Sequence, residues 1–145
     1  MADFVVTLTD KGRQLEAQQT VYGYGFKIDH FVLGSGGHDP TDPLVALPLT
    51  LEVTELPKKT FGPEIIDETT LITVTCPKFV CVVQPREAVG GISNLGLIAT
   101  VLSVPSGSPP SAPEEGSTFL YAMTNFPLRT KTSLSKETFN ILLKT

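Results

Sequence analysis

The residues able to do chemistry in this chain are few. His30 and His38 are the only histidines, and Cys76 and Cys81 the only cysteines. Together they could offer zinc ligands, but such sites draw ligand pairs from positions about two to four residues apart, and neither pair has that spacing. A nucleophilic cysteine would need one of the two imidazoles beside it, which spacing does not supply. Asp39 and Asp42 flank Pro40-Thr41 and could offer oxygens to calcium. The remaining carboxylates and the closing glutamate of a calcium loop are missing, so turn-making is their expected role. Gly34-Ser35-Gly36-Gly37 follows a predicted strand, as phosphate-binding loops do. A phosphate cradle also needs helix N-terminal amides behind the glycines, and no helical pattern follows. Glu64, Asp67 and Glu68 read as a charged loop edge, the commoner use of such carboxylates than a catalytic pair. The expectation is a protein that is not an enzyme, with no catalytic residue, no cofactor and no metal site.

The elements that would position these residues belong to a turn-rich chain. Its 145 residues favour a single domain, 1–145. Twelve glycines and twelve prolines favour many short strands over long helices. With 41% apolar and only 18% charged residues, long disordered readings are poor. A net charge of −4 argues against nucleic acid, which needs clustered cations. The first residues lack the basic start and long apolar run of a signal peptide, and no apolar run is long enough to span a bilayer. Cys76 and Cys81, five residues apart on one predicted strand, point to opposite faces and stay unpaired, as suits a reducing cytosol.

Thr9 predicts the cap of a short helix from about Asp10 to Gln19, weakened at Gly12 and resting on a sheet without being a core element. Phe26 to Leu33 alternates as a strand, with Phe26, Ile28 and His30 on one face and Lys27, Asp29 and Phe31 on the other. It stops at the glycine corner, Gly34, Gly36 and Gly37, where positive φ is expected. His38 to Pro48 reads as an extended loop, and Leu49 to Leu56 as a half-buried strand. Thr69 to Gln84 is β-rich and split at Pro77, and Ile92 to Val104 is the best central strand. Pro105 to Ser117 is a flexible polar loop, followed by strands at Phe119–Phe126 and Thr138–Leu143. The fold class expected is α+β, a mainly antiparallel β-sheet or sandwich with one short N-terminal helix.

The order of motifs is distinctive. Leu8-Thr9-Asp10-Lys11-Gly12 opens the helix. Val32-Leu33-Gly34-Ser35-Gly36-Gly37 ends a strand and is followed by Pro40-Thr41-Asp42-Pro43-Leu44 and then Leu49-Thr50-Leu51-Glu52-Val53. Ser93-Asn94-Leu95-Gly96-Leu97-Ile98 and Phe119-Leu120-Tyr121-Ala122-Met123-Thr124-Asn125-Phe126-Pro127 come later. Over nearly its whole length the chain resembles the N-terminal, baseplate-attachment domain of phage tail-collar fibre proteins. It departs from that pattern at Asn94 and Ile98, where the family usually carries an acidic residue and an aromatic. Longer family members continue into a fibre shaft, whereas this sequence stops at Thr145, after its last predicted strand.

The resemblance implies a structural virion protein, an adaptor that attaches the tail fibre at the baseplate and is assembled in host cytoplasm. Its partners would be other tail or baseplate proteins and the fibre, in a homo-oligomer or multi-copy ring, with no nucleic acid and no membrane. The alternatives are a free-standing baseplate wedge subunit, or a small-ligand module or enzyme using the glycine corner and His38-Asp39. Three segments are candidate interfaces: Phe4-Val5-Val6; the polar loop with Pro109, Pro110, Glu114 and Glu115; and the basic end with Arg129, Lys131 and Lys136, to which Lys144 adds a further charge.

Overall fold

The computed structural model describes residues 2–143; Lys144 lies outside them. Among the described residues one helix and eight strands follow one another. Strand β1 (Ala2–Leu8) leads into α1 (Asp10–Tyr22), and β2 (Gly25–Gly34) follows. Then come β3 (Lys59–Ile65), β4 (Glu68–Thr73), β5 (Cys76–Val83), β6 (Gly90–Ser103), β7 (Thr118–Lys131) and β8 (Glu137–Leu143). The architecture is mainly antiparallel β with one short helix, as the sequence predicts.

The strands lie in the order β3-β2-β6-β7-β1-β8-β5-β4. β1 joins two halves of the array: Ala2 to Val6 pair in parallel with β8, and Thr7 and Leu8 pair antiparallel with β7. The outermost strands, β3 and β4, are consecutive in the chain. Between them the Ile66 amide donates to Asp29 O at 3.0 Å, and the Asp67 amide to Val80 O at 2.9 Å. This corner ties β2 to β5 and brings the two ends of the array together. Inside lies the main core, with Phe31, Leu33, Leu95, Leu97, Phe139 and Ile141 fully buried.

Two bulges set which side chains enter. Ile28 faces Ala99 and His30 faces Ile98, so Asp29 is an extra residue. The bulge shifts the alternation by one, which moves Phe31 to the core face with Phe26 and Ile28; strict period-two reading put it opposite. Tyr121 is the extra residue opposite Leu97 and Ile98, and this lets Leu120 and Met123 share the outer face.

That outer face is covered by the segment predicted as a strand, Leu49 to Leu56. Burial does alternate over Leu49, Leu51 and Val53, each half-buried beside exposed neighbours; of these Leu49 and Val53, together with Leu56 off that alternation, pack on Val32, Leu120 and Met123. Its backbone, however, runs as turns and bends with no strand partner, so the alternation marks a covering coil. The break in the Thr69–Gln84 region lies at Val74-Thr75, a tight turn, and Pro77 sits inside β5 opposite Leu71, near the sheet edge where a missing N–H is tolerated.

Thr9 caps the helix as expected, accepting from the Gly12 amide at 3.0 Å, and Gly23 ends it with φ 77°. The helix continues three residues past Gln19, to Tyr22. It also belongs to the core, because Leu15 is buried within it. Gly12 is there for space: a β-carbon would run into the Tyr121 carbonyl oxygen.

Candidate functional site

The glycine corner sits where β2 ends against β6. None of Gly34, Gly36 and Gly37 has positive φ, which corrects the expected conformation. The reason for glycine is close approach. A β-carbon on Gly36 would stand 2.6 Å from Pro57 O, one on Gly34 would stand 2.5 Å from Asn94 Oδ1, and one on Gly37 would overlap the Ser93 carbonyl.

Side chains from β6 and β7 fasten this corner. Ser93 Oγ accepts from the Gly37 amide at 2.8 Å and lies 2.8 Å from His38 Nδ1. Asn94 Nδ2 donates to Pro57 O at 3.0 Å, and Asn125 Nδ2 to Leu47 O at 3.0 Å. Ser93 and Asn94 are fully buried. The buried amide oxygens of Asn94 and Asn125 have no hydrogen-bond partner; they fill the space that β-carbons on Gly34 and Gly37 would need.

A serine hydroxyl beside a histidine is the start of a hydrolytic triad, so its geometry decides what it can do. Ser93 has no exposed surface, and its oxygen already accepts a backbone amide. The Asp39 carboxylate takes the Thr41 amide and hydroxyl, each at 2.8 Å, and does not serve the ring. Those two hydrogen bonds hold the exposed Asp39 carboxyl below its ordinary value. The pair is a staple between the His38 loop and β6. Ser93 was missed in the sequence because its partner is 55 residues away and serine carries no spacing signal.

His30 Nδ1 lies 2.7 Å from Asp29 Oδ1, which also accepts from the Thr100 hydroxyl at 2.9 Å. Cys76 and Cys81 are free, on opposite faces of β5. Burial, then the charge of Asp67, pushes the Cys81 thiol well up. Among the described residues no three His, Cys, Asp or Glu side chains gather as a metal site. The one helix is neither long nor apolar enough to cross a membrane.

The candidate interfaces separate sharply. Phe4 and Val6 turn inward from β1: Val6 is buried and Phe4 stacks on Phe126 at 4.5 Å, leaving only Val5 on the surface. They are core residues, because β1 is an interior strand. Lys131 is also buried, its Nζ donating to Gln84 O and Thr132 O at 3.0 Å each. Arg129 pairs with Glu137 at 3.0 Å and lies over the Phe139 ring. Among the described residues of the basic end only Lys136 stands exposed, since Arg129 and Lys131 fasten strands and loops. In the polar loop Pro110, Glu114 and Glu115 are exposed and Pro109 is half-buried. That loop carries its own hydrogen bonds, from the amides of Ser108, Ala112 and Ser117 to the carbonyls of Pro105, Pro109 and Glu114. A partner is therefore not needed to satisfy these groups.

Compared with protein-family models, curated proteins and solved structures, the chain matches none.

Proposed function

We propose that this chain is a structural subunit of a phage tail, an adaptor that holds a tail fibre at the baseplate and acts in several copies. The observation that carries the reading is where the resembling motifs meet. Ser93 holds the Gly37 amide in a buried bond, Asn94 and Asn125 hold Pro57 O and Leu47 O in part-buried ones, and the Leu47 amide in turn donates to Gly37 O, so residues from separate segments fasten one corner. Residues spent on a rigid, closed frame suit a part whose task is to hold position. The helix opening at Thr9 is fastened in the same manner, its hydroxyl donating to Leu120 O at 2.6 Å. The competing reading, a ligand or catalytic site at the corner, loses support from the burial of Ser93.

Electron microscopy of phage particles lacking this chain tests the proposal. Tails without fibres, restored by supplying the chain, are expected. Particles that keep their fibres without it would overturn the adaptor reading.

A further inference from the structure

The closure of the strand array is incomplete, and the gap has a definite shape. β3 pairs with β2 only from His30 to Gly34, and the corner bond from Ile66 to Asp29 is the last tie. Beyond it, Gly25 to Ile28 pair with β6 alone, and β4 pairs with β5 alone. The two strands part there and leave a cleft of about 430 Å³ between Phe26–Ile28 and Thr69–Leu71.

The floor of the cleft is core. Phe26 and Ile28 pack on the main cluster, and Phe79 belongs to it. Leu71 at the cleft is 64% exposed, Ile72 continues the apolar edge at 55%, and Val74 in the turn after β4 is 92% exposed. Long apolar edges of this kind are usually blunted by a charge or covered. Asp29 and Glu68 stand at the closed end by the corner, and the charges along the open part are basic. Lys27 is the only charged residue lining the cleft, Lys78 stands on β5 beside Thr70, and among the described residues neither is in an ion pair.

We propose that this split accepts an extended strand from a partner chain, with apolar residues turned inward and acidic residues turned outward. Two unpaired strand edges face one another, so an inserted segment would gain a hydrogen-bonded neighbour on each side, in the manner of strand addition. Its inward side chains would cover Phe26, Ile28, Leu71 and Phe79. Its outward side chains would stand beside Lys27, with Lys78 one strand further, and acidic groups answer both. The inference goes beyond the adaptor reading and does not depend on it.

The probe is an acetylated, amidated peptide, Glu-Val-Glu-Val-Glu-Val-Glu, with Lys-Val-Lys-Val-Lys-Val-Lys as its counterpart. Amide exchange and shift changes are read by NMR on the whole chain. The acidic peptide is expected to protect amides within Gly25–Ile28 and Thr69–Thr73 and to bind at least tenfold tighter than the basic one. Lys27→Glu, at an exposed position, is expected to abolish that preference, and Leu71→Arg to weaken the binding. No protection at millimolar peptide, protection elsewhere, or equal binding of the two peptides would each overturn the proposal. So would concentration-dependent protection of the same amides without peptide, which would give the split to a second copy of this chain.

Discussion

The two halves of β2 were built by opposite means. From Phe31 to Gly34 every residue is buried, with β3 on one side and β6 on the other. The end of this half is locked by polar groups: Ser93 on Gly37, Asn94 on Pro57, and three glycines that let backbones touch. From Gly25 to Ile28 the strand has one neighbour, and no residue is fully buried. That half is apolar where it meets the cleft. Hydrogen bonds need fixed partners at fixed distances, so the polar end has one geometry. Apolar burial has no direction, so the other end can stay open and still be stable.

The largest effect expected from this contrast is at Gly37. Gly37→Val drives a side chain into the Ser93 carbonyl, which is backbone and cannot step aside. A loss of about 3 kcal/mol or more is expected, read as a fall in the urea midpoint. The matching change at the open half, Leu71→Ser, is expected to stay within about 0.5 kcal/mol because the side chain is already largely in water. Equal losses at the two sites would break the comparison.

Lys131 gives the next effect. Its buried ammonium satisfies two carbonyls and ties the loop after β5 to the loop after β7. Lys131→Ala leaves both carbonyls unpaired and opens a hole, for about 2–3 kcal/mol. Lys131→Met keeps the stem and is expected to recover part of that loss. A Lys131→Ala midpoint equal to wild type would mean that water replaces the ammonium at no cost.

High pH tests the same interior more gently. Burial raises both the Cys81 thiol and the Tyr121 phenol, and Glu16, which accepts the phenol proton at 2.6 Å, adds to the second shift. The folded state therefore holds these protons more tightly than the unfolded chain. Their contribution is full below the ordinary thiol and phenol values of 9.0 and 10.0, and is lost as pH rises past them. The urea midpoint is expected to fall above about pH 9, less steeply in Tyr121→Phe. A flat profile to pH 11 would contradict the shifts.

What the sequence made legible was local and apolar. The helix cap at Thr9, the central strand at Ile92 and the unpaired cysteines all follow from short-range pattern, and the structure agrees. Leu49–Leu56 shows the limit, since period two records which side chains are covered and says nothing about whether a backbone finds a partner. β3 was not foreseen, because Gly62-Pro63 interrupts its pattern. The frame at the corner depends on Ser93, Asn94 and Asn125, polar residues whose partners are remote. The basic end reads as surface in the sequence because charge carries no sign of direction, and Lys131 points inward.

A small effect is expected at the Pro105–Ser117 loop. Its inner bonds are turn bonds, and its base is closed by Val101, whose amide donates to Ser117 O at 2.9 Å and whose carbonyl accepts from Gly116 at 2.8 Å. Neither kind reaches the main core. Glu115 Oε1 also accepts from the Val104 amide at 3.4 Å, a long bond at an exposed site. Replacing residues 106–115 with a short Gly-Ser link removes these turns but spares Val101, which is buried. Closing a shorter loop also costs less entropy, about 0.6 kcal/mol for each halving of length. The two changes oppose one another, so the urea midpoint is expected to shift by less than about 1 kcal/mol. The same variant sharpens the functional reading when it is carried into phage. Fibres lost from tails while the isolated domain stays folded would make Glu114, Glu115 and their neighbours a contact surface. Normal tails would leave the loop with no part in attachment and direct the search for contacts to the open half of β2 and β4.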